Sequence, residues 1–219
     1  MNLPELRGKI AYQTSALALT ALVVSAALSM ADRGTQGAIA RHKAQDLQAS
    51  LMQVIPAQLY DGELLDDMVT VPMDPGAAPL SIYRARHQGE ISALAFTVVG
   101  QGYAGPIEAL VGVDRQGHIL GVRVISHQET PGLGDKIEHR KSDWIFGFDG
   151  RSLTDPAPQA WSVKKDGGVF DQLTGATITP RAVVQAVKHG LEFFAAHQGQ
   201  LLENEPRAGA PTREVRDSD

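Results

Sequence analysis

At 219 residues, 43% of them apolar, the chain is long enough to bury one good core. A net charge of −5 without a basic stripe argues against nucleic acid as a partner, because holding a phosphate backbone needs clustered Lys and Arg. Cysteine is absent, which excludes disulfides, iron–sulfur clusters, zinc-thiolate sites and a thiol nucleophile; the seven scattered histidines form no ligand pair at zinc spacing, so no metal site is expected.

Residues 11–31 carry no charge and are bracketed by Arg7 and Lys9 on one side and Asp32 and Arg33 on the other. At about 1.5 Å per residue such a stretch reaches about 30 Å as a helix, the thickness of a hydrocarbon core, and predicts a membrane span. Ser29-Met30-Ala31 also has the small-x-small form of a signal-peptide cleavage site. Composition leaves an anchor and a cleaved leader both open, and either puts the residues after it at or beyond a membrane. Basic residues on both flanks leave the orientation unsettled.

Ala40, Ala44, Leu47, Leu51 and Val54 then recur at helical intervals until Pro56. Residues 61–79, rich in Asp, Pro and Gly with the strongest turn at 72–76, are expected to be loop. Four strand-like runs come next, at 81–86, 91–99, 107–114 and 119–127, joined by turns short enough for antiparallel hairpins. A meander sheet with helices before and after it is an α+β fold. Gly100, Gly102 and Gly105 mimic a dinucleotide fingerprint, but a strand succeeds them where a helix would be needed, so a tight turn is the reading.

After His127, residues 129–134 form a loop around Pro131-Gly132, on composition a surface turn. Trp144, Phe146, Phe148 and Trp161, each taken singly, belong to a core before they belong to a pocket. Residues 171–180 make a hydroxyl-dense turn. Beyond it Val183, Val184, Val187, Leu191 and Phe194 fall at helical spacing, with Thr179 as expected N-cap and Pro180 as first helical residue. Free N–H groups and the helix dipole favour an anion there, and Gly175 lets backbone come close to one. Composition alone nonetheless favours a plain capping turn. From 202 onward apolar periodicity ends, and a disordered tail is expected.

Three stretches carry a family resemblance: Gly100-Gln101-Gly102-Tyr103-Ala104-Gly105-Pro106-Ile107, His127-Gln128-Glu129-Thr130-Pro131-Gly132-Leu133-Gly134, and Asp171-Gln172-Leu173-Thr174-Gly175-Ala176-Thr177. Together with the N-terminal apolar segment they resemble, over nearly the whole chain, the FMN-binding family. That family includes the G subunit of Rnf ion-translocating electron-transport complexes and the C subunit of the sodium-pumping NADH:quinone oxidoreductase. The third stretch is similar to the pattern by which a flavin transferase recognises its target, beginning at Asp171.

The resemblance implies FMN esterified through its phosphate to Thr177, in a turn completed by Thr174, Gly175 and Ala176; many members have Ser where Thr174 stands. It also implies that Glu129, Thr130, Gly132 and Leu133 lie beside the isoalloxazine. No residue is expected to be catalytic in its own right. The implied protein is an electron-transfer subunit of an Rnf-type membrane complex, a redox subunit that does not turn over alone. Its partners would be the other subunits of that complex and, during maturation, the flavin transferase. The implied organisation is a cytoplasmic 1–10, a transmembrane 11–31, a helix and linker at 32–80, an FMN-binding domain at 81–200 on the periplasmic side of a bacterial inner membrane, and a tail at 201–219. A C-type quinone-reductase subunit or a stand-alone extracytoplasmic flavin reductase is the nearest alternative, and a non-redox membrane-anchored assembly module is the alternative of another class. The short chain and single span look more like the Rnf G subunit.

Overall fold

The computed structural model describes residues 3–71 and 80–203. It divides into two compact units, 1–46 and 47–219. The first is helical: it holds most of α1 (Leu3–Val54). Among the described residues, Tyr12–Met30 is long and apolar enough to cross a membrane, with a mean hydropathy of 1.5 and side chains such as Leu17, Leu22 and Leu28 exposed. Where the sequence suggests a span and then a separate helix, α1 is continuous from Leu3 to Val54. Gly34 and Gly37 weaken a helix without forbidding it, and the first proline that would stop it is Pro56.

In the second unit, β1 (Met68–Val71), β2 (Leu80–His87), β3 (Glu90–Gln101), β4 (Pro106–Asp114) and β5 (Ile119–Ser126) form one antiparallel sheet in sequence order. The last four match the expected runs within a few residues. β1 corrects the expectation that 61–79 is all loop: Met68-Val69-Thr70-Val71 pairs with Leu80 to Tyr83 of β2. Its four residues are too few to outweigh the surrounding turn formers. The expected turn at 72–76 lies outside the described residues.

The sheet is covered on both faces. On one, Phe96, Val98 and Val111 pack with Val183, Val184, Val187, Leu191 and Phe194 of α2 (Ile178–Leu202). On the other, Leu51, Val54 and Ile55 pack with Tyr83, Ala85, Ala93, Ala95 and Leu110. The second face carries small residues because the end of α1 comes very close. Gly112 and Gly121 sit opposite each other on β4 and β5, and a Cβ on Gly112 would lie 2.3 Å from the Val54 carbonyl oxygen.

α2 extends to Leu202, with Leu201 buried, so the helix runs into the start of the expected tail; residues 204–219 lie outside the described residues. Within the core on the α2 side, Phe148 stacks on Phe170 at 4.6 Å between ring centroids, with Trp161 5.1 Å from Phe170. Phe146 departs from the core reading: it is partly exposed, under the Arg123 guanidinium at 4.8 Å.

Asp67, just before β1, is the ionic clamp of this sheet edge. Its Oδ1 accepts from Arg84 Nε and Nη2 at 2.9 and 2.6 Å, and its Oδ2 from Arg86 Nε at 2.5 Å, with the side chain only 9% exposed. Burial alone would push its carboxyl up, but the two guanidiniums outweigh burial and hold it below the usual carboxylate range. The stabilisation is therefore present above the unfolded-state value for Asp, about 3.9, and is lost as pH falls through the lower folded-state value. Asp67→Ala would strand Arg84 in a nearly buried position, and chemical denaturation should show a loss of about 3–5 kcal/mol near neutral pH. Loss of less than about 1 kcal/mol would mean that the pair is no better than a surface one.

Candidate functional site

One cleft of about 490 Å³ draws the three sequence stretches together. Its wall from the β3–β4 turn is Tyr103; the loop after β5 supplies Glu129, Thr130, Leu133 and Gly134; the turn into α2 supplies Gly175, Ala176, Thr177, Ile178 and Thr179. The volume falls in the roughly 300–1,000 Å³ range of small-molecule sites.

Local hydrogen bonding shapes each wall. The Gly102 N–H donates to the Gly105 carbonyl at 2.9 Å, closing the β3–β4 turn. The Leu133 and Gly134 N–H groups both donate to the Thr130 carbonyl at 3.1 Å, and the Gly132 N–H donates to Asp135 Oδ1 at 2.8 Å. That N–H and the Lys141 ammonium hold the Asp135 carboxyl below the usual range; Lys141, ahead of His127, does the same for Glu138. In the third wall the Ala176 N–H donates to the Leu173 carbonyl at 3.1 Å, and Gly175 sits at φ 85°, where a side chain would be strained. A Cβ on Gly175 would also lie 2.9 Å from Leu133 Cδ2, so glycine lets these two walls of the cleft come close together.

α2 begins two residues earlier than expected, at Ile178 instead of Pro180, which changes the part played by each threonine. Thr177, not Thr179, stands at the N-cap, at φ −90° and ψ −32°, and its side chain makes no capping bond. Thr179 lies inside the first turn, 1% exposed, and its hydroxyl donates to Glu129 Oε2. The start of α2 is thus open to the cleft with no side-chain cap, and Pro180 has no N–H to satisfy. Such an end receives an anion. Around it the exposed parts of Tyr103, Leu133 and Ile178, at 71, 42 and 47% exposure, form an apolar rim. An anion seat next to an apolar slot fits a phosphorylated, flat heteroaromatic group such as FMN.

Glu129 is only 4% exposed. Its Oε1 accepts from the Ala104 N–H at 2.9 Å, its Oε2 is bound by Thr179, and its own N–H donates to His127 Nδ1 at 3.1 Å. An accepting Nδ1 puts the proton of a neutral His127 ring on Nε2, which faces Glu138 Oε1 at 3.0 Å.

Of the residues expected at a site, Thr177, Gly175, Ala176, Glu129, Thr130 and Leu133 line this cleft. Gly132 shapes the loop from behind, at φ 81°. Thr174 is exposed on the turn, outside the lining. Asp171 lines a neighbouring cleft of about 520 Å³ with Trp144, Arg151 and Lys164; its Oδ1 accepts from Lys164 Nζ at 2.5 Å and its carbonyl from Trp144 Nε1 at 2.6 Å. Sequence reasoning assigns no role to Tyr103 or Ile178 and misplaces Thr179. An aromatic residue set in a glycine-rich turn is the available signal for Tyr103.

The FMN-binding domain family matches residues 102–192. The G subunit of the ion-translocating oxidoreductase complex of Cereibacter sphaeroides is 50% identical over 186 residues, covering 85% of this chain and 84% of that one. The same subunit of Stutzerimonas stutzeri is 45% identical over 201 residues, covering 92% and 88%. The crystal structure of Shewanella oneidensis NqrC aligns over 69% of this chain and 73% of that one, with 25% identity and a TM-score of 0.47.

Proposed function

The chain belongs to the family of G subunits of ion-translocating oxidoreductase complexes, and we propose that it is the FMN-carrying electron-transfer subunit of such a complex, with FMN joined to Thr177 by a phosphoester bond. The observation that carries this reading is the uncapped start of α2, which opens onto the cleft with Thr177 at the N-cap.

FMN would supply the redox chemistry, passing electrons between one- and two-electron partners, while the protein supplies position and surroundings. The first N–H groups of α2 would face the phosphate, and Gly175, at φ 85°, would shape the turn that leads into them. Tyr103, Leu133 and Ile178 would cover apolar parts of the ring system and keep water from them. Thr130 and the backbone of 130–134 would meet its polar edge. Thr177 is a tether: during maturation its Oγ forms a bond to the flavin-side phosphorus of a phosphoanhydride, the anhydride P–O bond breaks and the other phosphoryl fragment leaves, and a base of the transferase takes the hydroxyl proton.

In this reading residues 11–31 anchor the chain in the inner membrane, 81–200 hold the flavin on the periplasmic side, and the other subunits of the complex donate and accept the electrons. Asp171, set outside the cleft, is free to be read by the transferase while Thr177 receives the flavin. The test is to co-express the full chain with a flavin transferase, denature it, and map the flavin by mass spectrometry. Flavin on the peptide that contains Thr177 is expected. A protein that emerges colourless from that co-expression overturns the reading.

A further inference from the structure

We infer that Glu129 is the positioning residue of the flavin cleft: its carboxylate fixes the three walls against one another and is not itself a ligand of the ring. The inference rests on the FMN reading for its consequence, but the clamp is argued from this chain alone.

Glu129 reaches all three walls. Through Oε1 it holds the β3–β4 turn by the Ala104 N–H, through Oε2 it holds the first turn of α2 by the Thr179 hydroxyl, and from the third segment its own N–H is fixed on His127. Thr179 is 50 residues away in sequence and Ala104 is 25, so each bond ties segments that chain connectivity leaves independent. Glu129 and Thr179 are also two of the few buried polar side chains among the described residues. Burying such groups is costly unless they are bonded, and here each satisfies the other.

Two glycines give independent evidence that the site is built around this carboxylate. A Cβ on Gly102 would lie 2.5 Å from Glu129 Oε1; a Cβ on Gly134 would lie 2.9 Å from Glu129 Cβ, from Oε2 and from Thr179 Oγ1. Neither glycine has a positive φ. At 134 what requires glycine is the space that Glu129 and Thr179 fill; at 102 Glu129 shares that space with the Ile107 side chain at 2.7 Å and the Gly105 carbonyl at 2.9 Å. With both oxygens turned to protein donors, the carboxylate acts on the flavin through the walls it holds.

The test compares Glu129→Ala, Glu129→Gln and Thr179→Val in the full chain. Gln can reproduce both bonds, its oxygen accepting from Ala104 and its amide donating to a rotated Thr179 hydroxyl, while removing the charge. In protein prepared without transferase, amide exchange of Ala104 and of residues 182–184, whose N–H groups bond back onto the first turn of α2, should speed up about tenfold or more in Glu129→Ala and Thr179→Val, and return close to wild type in Glu129→Gln. In flavinylated protein, the first two should leave the ring more open to iodide quenching, while Glu129→Gln keeps both the protection and the midpoint potential. Thr179→Val keeps shape and answers the question if Glu129→Ala fails to fold. Unchanged exchange in Thr179→Val overturns the clamp. A Gln variant with wild-type exchange and a shifted potential shows instead that the charge acts on the ring directly. Wild-type protein that takes up no flavin removes the FMN reading, and the exchange comparison still decides the clamp.

Discussion

Thr177→Ala folds like the parent chain and carries no flavin after denaturation. Two expectations meet in that result. The substitution deletes the single oxygen proposed to bond to phosphorus, so covalent flavin falls from near stoichiometric to background. It also costs little stability: Thr177 makes no capping bond, so the roughly 1 kcal/mol usual for losing an N-cap side chain does not apply, and a change within about 0.5 kcal/mol is expected. The neighbouring threonines are excluded for different physical reasons. The Thr179 hydroxyl is buried and donates to Glu129. Thr174 is accessible but stands on the turn outside the cleft, so Thr174→Ser should be flavinylated as the parent is. Thr177→Ser keeps a hydroxyl at the same place and should retain attachment. In-gel fluorescence after co-expression with the transferase reads all four proteins at once. A fluorescent Thr177→Ala band, or flavin mapped to Thr174 or Thr179, would show that the phosphate sits elsewhere on this turn.

The threonines also show how far the residues alone lead. Strands β2 to β5 are legible because they are runs of apolar and β-branched residues bounded by short turns, near-continuous in β3 and β4 because both faces of the sheet are covered. α2 is legible because Val183, Val184, Val187, Leu191 and Phe194 mark one face. A local rule misplaces its start: Thr before Pro scores as N-cap followed by N1. Tertiary structure overrides that rule, since the Thr179 hydroxyl finds a buried carboxylate and the helix gains two residues at its start. Glu129 itself reads as solvated, because nothing local announces a partner 50 residues away. Gly102 and Gly134 read as turn residues, whereas both leave room for Glu129. β1 is missed for the opposite reason: four residues of Met, Val and Thr hold their place by pairing with β2, which periodicity within the strand cannot reveal.

Trp161→Ala should be strongly destabilising, and it should act on the flavin site from a distance. Trp161 is 1% exposed, stacks beside Phe170 and Phe148, and donates its Nε1–H to the Ser152 carbonyl at 3.1 Å. Its own carbonyl accepts from Gln185 of α2 at 3.2 Å. Truncation leaves a large cavity and strips the Ser152 carbonyl of its side-chain donor, for a loss of about 3–5 kcal/mol. At roughly 2–4 °C per kcal/mol for a chain of this size, the melting point should fall by about 6–20 °C. Trp161→Phe keeps most of the volume and loses the N–H, so about 1–3 kcal/mol is expected. Phe146→Ala, on the exposed side, should cost no more than about 1 kcal/mol. The effect reaches the site because Phe170, held in the stack, directly precedes Asp171, and the Lys164 N–H and Ser162 carbonyl pin both sides of its backbone. With Phe170 loosened, the 171–177 turn loses its fixed origin. Flavinylation of Trp161→Ala should therefore drop more steeply with growth temperature than that of the parent, while Trp161→Phe stays close to it. A Trp161→Ala protein melting within about 3 °C of the parent would mean that the stack is dispensable and that the turn is held by α2 alone.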